Sequence, residues 1–257
     1  MKLLVDAGNT RLKWAWLGSQ GLVDSGEPGD HGAIAHGGTV PDDLLVRIGA
    51  ASRQPTAIAI ASVASASFTA SLRAALGATG ISVRQVTTAA AFGELRNGYG
   101  NPAQMGVDRW LALIGAWQRH RRALCVVDAG TAVTLDVVDD QGQHLGGYIV
   151  PGAPLMRRAL LGSTGGIDAA ARLAAVADAE PLRWGRDTES CMALGATRAL
   201  ACLVMDSVKA LALRSRVAPA LLLTGGDASH LLAGLEAGPE LRPQLVLEGL
   251  ALAARDP

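Results

Sequence analysis

The sequence predicts an α/β protein built from two related halves, and three observations carry that expectation. Apolar strand-like segments alternate with helical ones along most of the chain. The N-terminal stretch Lys2-Leu3-Leu4-Val5-Asp6-Ala7-Gly8-Asn9-Thr10 has a near-copy in Cys125-Val126-Val127-Asp128-Ala129-Gly130-Thr131. The two lie about half the chain apart, far beyond the period of a solenoid, so duplication of a half-molecule explains them best. Each copy runs an apolar strand into a carboxylate and then into a glycine turn rich in donors. A third turn, Thr224-Gly225-Gly226-Asp227, closes the segment Leu221-Leu222-Leu223.

Taken in order, Leu3 to Val5 and Leu12 to Leu17 flank the first turn as a hairpin. Leu12, Trp14 and Trp16 alternate as on a strand with one packed face. Residues 24–39 are rich in Gly and polar residues and read as loop. Pro41-Asp42-Asp43 opens a helix with acid near its positive end. A strand over 56–63, a helix over 67–76 and a strand over 81–86 follow. Residues 97–105 read as loop, and behind Gly106-Val107-Asp108-Arg109 the residues Trp110, Leu113, Ile114 and Trp117 recur at helical spacing. Arg119, Arg121 and Arg122 crowd the end of that helix, where the dipole favours cations.

The second half restarts with strands over 123–128 and 133–138, followed by Gly146-Gly147-Tyr148-Ile149-Val150-Pro151-Gly152. Tyr148 and Ile149 are expected in the core. A long helix over 191–214 precedes a strand, glycine turn and helix over 221–235. The expected halves are residues 1–118 and 119–257.

Composition narrows the function. Of 257 residues 49% are hydrophobic and 18% charged, which marks a chain with a sizeable core. Lys plus Arg and Asp plus Glu balance at 23 each, so no global field recruits nucleic acid or an anionic membrane. The three cysteines have no metal-ligand spacing and their odd number opposes a disulfide framework. The five histidines are scattered, and metal ligation by them is not expected. The apolar stretch over 192–213 carries Arg198, Asp206 and Lys209, which argues against a membrane span. A cytoplasmic protein is expected.

The first turn carries chemistry in its residue types. Glycine lets backbone amides approach a phosphate, while Asn9, Thr10 and Lys13 add side-chain donors and a point charge. Asp6 would repel polyphosphate alone, and becomes useful where Mg²⁺ with its own waters stands between them. No GxxxxGK[ST] motif is present. Asp128, Gly130 and Thr131 repeat this logic in the second half, the carboxylate suited to a cation and the hydroxyl to a phosphate oxygen.

This ordered set of motifs, the first turn with Lys13, Gly106-Val107-Asp108-Arg109, Asp128-Ala129-Gly130-Thr131, the Gly146 to Gly152 segment and Thr224-Gly225-Gly226-Asp227, closely resembles type III pantothenate kinase. The resemblance implies an actin-like ATPase fold, two RNase H-like halves each with a mixed sheet flanked by helices. It implies phosphorylation of pantothenate by ATP to 4′-phosphopantothenate, the first step of coenzyme A synthesis, by a homodimer whose substrate pocket is completed between subunits.

By the same similarity, Asp6, Ala7, Gly8, Asn9, Thr10, Arg11, Leu12, Lys13 and Thr131 contact ATP. Asp128 helps site a monovalent cation, potassium or ammonium. Tyr99, Gly106, Val107, Asp108, Arg109 and Thr188 contact pantothenate. Asp108 is the candidate general base for the attacking hydroxyl. Arg109 either clamps the pantothenate carboxylate or stabilises the moving phosphoryl group, and read as an ordinary dipeptide it would be a solvated helix-start arginine. Thr188 suits a helix N-cap as well as a substrate contact, and Asp227 a cap as well as a ribose contact. After Gly152 the chain departs from the family pattern, with Ser163-Thr164-Gly165-Gly166-Ile167-Asp168. Two other functions stay open to the residues: another phosphotransferase or phosphohydrolase of the same fold, or a non-catalytic regulatory binding protein.

Overall fold

The computed structural model describes residues 1–22, 30–48, 54–163, 184–232, 234–235 and 238–255. From the N-terminus the elements are β1 (Lys2–Ala7), β2 (Arg11–Leu17), β3 (His31–Ala35), α1 (Leu44–Arg47), β4 (Ala57–Ser62) and α2 (Ala66–Gly77). Then come β5 (Val83–Gln85), β6 (Ala91–Phe92), β7 (Leu95–Arg96), α3 (Val107–His120), β8 (Leu124–Ala129) and β9 (Ala132–Val138). The remainder is β10 (His144–Pro151), α4 (Ala153–Ser163), α5 (Thr188–Ala212), β11 (Ala220–Thr224), α6 (Ala228–Leu232), β12 (Glu240–Leu241) and α7 (Leu245–Ala253).

These elements gather into two compact units. The first comprises Met1–Gly93, Tyr99–Gln118 and Gln244–Pro257, the second Glu94–Gly98 and Arg119–Pro243. Each contains a five-stranded mixed sheet, ordered β3-β2-β1-β4-β5 in one and β10-β9-β8-β11-β12 in the other. In both, the leading strand pairs antiparallel with the next strand on one side and parallel with a later strand on the other. The same wiring twice is what duplication of a half-molecule predicts.

In the first unit, Leu3, Val5, Trp14, Trp16, Ile58 and Ile60 pack with Phe68, Leu72 and Leu76 of α2. Leu4, Ala15 and Leu17 are buried as well, so β1 and β2 are covered on both faces rather than one. Trp16 satisfies its indole N–H on the Ile48 carbonyl at 3.1 Å.

Two local expectations change. The stretch read as loop contains β3, which pairs antiparallel with β2 from Arg11↔Ala35 to Ala15↔His31. Its low strand propensity is overridden by that pairing, and Gly32 leaves room for the Trp14 ring, which a Cβ would meet at 2.4 Å. In the second unit Tyr148 and Ile149 are exposed, at 55% and 62%, because β10 ends its sheet and neither face is covered at those positions. Two of the scattered histidines, His36 and His144, are buried, and His144 Nε2 lies 2.9 Å from Asp136 Oδ1.

The long helix α5 is apolar and long enough, by length and composition, to cross a membrane. Within its own unit, however, Ala193, Ala196, Leu200, Ala201, Val204 and Leu211 are buried, several of them against Cys125, Val127, Leu221 and Leu223. One side of it thus belongs to the core of that unit. Burial, and secondarily the charge of Asp136, push the Cys125 thiol from its ordinary 9.0 up to about 12. A thiol reagent at about pH 8 is expected to label the exposed Cys191 and Cys202 in the native protein and Cys125 only after unfolding, as peptide mass mapping would read.

Candidate functional site

In the first unit the central strand β1 delivers its carboxylate at its end. Leu3, Leu4 and Val5 are fully buried, and Asp6, 6% exposed, lies directly across from Lys13 on β2 and beside Ala61 on β4. The chain then turns sharply, with the Gly8 N–H bonded to the Arg11 carbonyl at 3.0 Å. Asn9, Thr10 and Arg11 are exposed, Lys13 is partly so, and Ala7 and Leu12 are buried beneath them. The predicted hairpin thus presents polar groups on an apolar base.

Beside it stands the start of α3. The Val63 N–H bonds to the Ala7 carbonyl at 3.0 Å, so the chain leaving β4 abuts the end of β1. Gly106 packs against Val63, and its carbonyl accepts the Trp110 N–H at 3.2 Å, closing the first turn of the helix. A Cβ on Gly106 would lie 2.6 Å from Asp108 Oδ1, so glycine is what lets that carboxylate fold back over the backbone. Oδ1 of Asp108 accepts the Arg109 N–H at 2.8 Å, at the helix end where the dipole favours negative charge. Asp108 is half-buried and stands at the second helical position rather than at the cap.

Arg109 differs from the solvated arginine of an ordinary helix start. It is only 7% exposed. Its Nη1 donates to the Tyr99 hydroxyl at 2.8 Å, and the guanidinium carbon stands 5.7 Å from the centre of the same ring. Tyr99, Asp108 and Arg109, together with Gly106 and Val107, are therefore brought into one cluster at the end of the strands that carry Asp6.

In the second unit three motifs converge. The half-buried Asp128 pairs in register with Thr134 on β9 and Thr224 on β11. The Gly130 N–H closes the turn onto the Ala132 carbonyl at 3.1 Å, leaving Thr131 exposed, and the Gly152 N–H donates to the Thr131 carbonyl at 2.9 Å. Gly225, at φ +95°, comes so close that a Cβ would lie 2.2 Å from the Ala129 carbonyl oxygen and 2.4 Å from Asp128 Oδ1. Asp227 bonds through its N–H to that same Ala129 carbonyl, at 2.9 Å, and its own carbonyl receives the first turn of α6. Thr224, fully buried beside Asp128, has a hydroxyl with no hydrogen-bond partner among the described residues.

Thr188 also belongs to the second unit, where it is the exposed first residue of α5. The cap is Asp187, not Thr188: its carboxylate accepts the Ser190 N–H at 2.8 Å while Ser190 Oγ accepts from the Asp187 N–H at 3.3 Å. Residues 164–168, where the chain departs from the family pattern, lie outside the described residues. Two residues without an assigned role join the sites. Thr224 stands in the Thr224-Gly225-Gly226-Asp227 motif, whereas His36, bonded to the Gly8 carbonyl at 2.9 Å, has no sequence signal. Among the described residues no group of three or more His, Cys, Asp or Glu side chains is arranged to hold a metal.

Known proteins resemble the chain over nearly its whole length. A family model described as type III pantothenate kinase matches residues 2–210. A type III pantothenate kinase of Thiobacillus denitrificans is 37% identical over 254 residues, covering 99% of this chain and 96% of the relative. One of Cupriavidus pinatubonensis is 38% identical, covering 96% of each. Among solved structures, a Campylobacter jejuni protein described as a conserved Baf family transcriptional activator superposes with a TM-score of 0.62 at 18% identity, covering 98% of this chain and 97% of its own. That last likeness establishes a shared fold.

Proposed function

The chain belongs to the type III pantothenate kinase family, and from that premise we propose how its own residues divide the labour of phosphorylating pantothenate with ATP. The activity is carried by the family match across nearly the whole chain. The actin-like ATPase fold and the mixed α/β units are in keeping with it. Phosphoryl transfer offers little covalent work to a protein, so alignment and charge stabilisation are what its residues must supply.

Asp108 is the general base, taking the proton of the pantothenate 4′-hydroxyl as that oxygen attacks the γ-phosphate. Support comes from its half-buried carboxylate at a helix start, one oxygen held by the Arg109 N–H. Arg109 clamps the pantothenate carboxylate. Its contact with Tyr99 supports this, since that contact orients a buried guanidinium, and the planar fork of arginine matches a carboxylate. Thr188 adds a substrate contact. The exposed Asn9, Thr10 and Arg11, the partly exposed Lys13 and the exposed Thr131 bind ATP phosphates.

Two ions belong to this reading. Mg²⁺ fits near Asp6, because one carboxylate is what this ion needs when phosphates and waters complete its shell. A monovalent cation, potassium or ammonium, fits beside Asp128, where the Thr224 hydroxyl supplies an uncommitted oxygen. When bound, these ions neutralise charge on the phosphates; Asp6, Asp128 and Thr224 serve to hold them.

We also infer a homodimer, supported by the exposed Tyr148 and Ile149 on the terminal strand β10. A regulatory module without catalysis, which sequence alone left open, gains no support, since Asp6, Asp108 and Asp128 are all retained.

Steady-state kinetics test the division of roles. Asp108→Asn is expected to lower kcat by about 10²–10⁴-fold with little change in the ATP KM, and full turnover would exclude it as the base. Arg109→Lys should raise the pantothenate KM by about tenfold or more while kcat falls less; the opposite split would assign it to the phosphoryl group. Potassium is expected to raise the melting temperature of the wild type by about 2–4 °C and to leave Thr224→Val unmoved. Equal stabilisation of both would remove Thr224 from the cation site. Sedimentation should give twice the chain mass, and Tyr148→Lys with Ile149→Lys should reduce it to one; a monomeric wild type contradicts the dimer.

A further inference from the structure

The stretch over 24–39, which reads as loop, contains a buried histidine. His36 follows β3 and is 6% exposed. Its Nε2 lies 2.9 Å from the Gly8 carbonyl oxygen, and its Nδ1 accepts the Gly38 N–H at 3.1 Å. A ring nitrogen that accepts carries no proton, so the imidazole that satisfies both contacts is neutral, with Nε2–H donating to Gly8. The backbone N–H of His36 makes another bond, to the Thr10 carbonyl at 3.2 Å. Phe68 of α2 fixes the plane of the ring, with centroids 4.1 Å apart.

Gly8 and Thr10 bracket Asn9 at the tip of the first hairpin, and His36 therefore grips both shoulders of the turn. In a planar trans peptide the carbonyl and the following N–H point in opposite directions. Drawing the Gly8 carbonyl onto the ring turns the Asn9 N–H away from it, and Asn9 and Thr10 are both exposed. We propose that His36 is a positioning residue for the nucleotide: through Gly8 and Thr10 it holds the hairpin tip in the orientation in which the Asn9 amide meets a phosphate of ATP. The proposal rests on reading this hairpin as the ATP cradle. An amide oriented beforehand loses little freedom on binding, whereas an unheld tip must be ordered by the ligand itself.

Two substitutions separate the two ring contacts. His36→Gln retains a side-chain N–H at about the reach of Nε2 and loses the acceptor for Gly38. His36→Asn retains an acceptor at about the reach of Nδ1 and is too short for Gly8. With ATP varied, His36→Asn is expected to raise the ATP KM about tenfold, and His36→Gln less than about threefold. The pantothenate KM and kcat of both should stay within about twofold of wild type. An unchanged ATP KM in His36→Asn, equal effects of the two variants, or a parallel rise for both substrates would overturn the proposal.

Lys13→Ala is the reference for the cradle itself. If it raises the ATP KM and His36→Asn does not, the positioning role alone fails. If it leaves the ATP KM unchanged, the cradle reading fails and takes this inference with it. Should His36→Asn melt below the assay temperature, nuclear magnetic resonance of isotope-labelled histidine in the wild type decides. The expected signature is an Nε2–H tautomer at His36 whose resonance shifts when ATP is added; an Nδ1–H tautomer, or no shift on saturation, refutes it.

Discussion

The site in the first unit depends on where β1 stops. Its strand is paired on both edges, antiparallel to β2 and parallel to β4, and buried on both faces. A strand so enclosed has no freedom in register, because a one-residue slip would exchange every side chain between faces. The last enclosed residues are Asp6 and Ala7, and the backbone leaves the sheet immediately afterwards. A carboxylate, a glycine turn and a helix start are therefore brought together by the same apolar packing that stabilises the unit.

The second unit repeats the device with different details. Asp128 ends an enclosed strand as Asp6 does, and its parallel neighbour β11 ends at Thr224. There the glycine pair lets the following turn press against the Ala129 carbonyl, and Gly225 adopts a backbone conformation that a side chain would strain. In the first unit the strand in the equivalent place, β4, is followed by Val63 and Ala64 where β11 is followed by the glycine pair. That unit places Val63 against the strand end and brings in α3 with Asp108. One strand wiring thus serves two kinds of contact.

Three polar side chains withdrawn from water are held by named partners. Arg109 has Tyr99, His36 has Gly8 and Gly38, and His144 has Asp136. An unheld polar group in such surroundings would cost about 1–3 kcal/mol, so these contacts fix orientation as well as compensate burial. Thr224 departs from the pattern, its hydroxyl lacking a hydrogen-bond partner among the described residues. The proposed cation site at Asp128, which the family resemblance implies, has that hydroxyl in the register position beside it.

Local patterns in the sequence determined the α/β class, the two matched hairpins, the helix behind Gly106 and most strand positions, because alternation, glycine turns and helical spacing act over a few residues. The motifs themselves, with the family they resemble, were equally legible. Burial and long-range pairing lay beyond that reach. The pairing of β3 with β2 overrode a stretch of small residues, a terminal strand left Tyr148 and Ile149 in solvent, and Arg109 was withdrawn from water by a tyrosine ten positions earlier. His36 joined the first hairpin for the same reason: which side chain meets a turn across a sheet is set by the register of strands distant in sequence, and no local pattern encodes it.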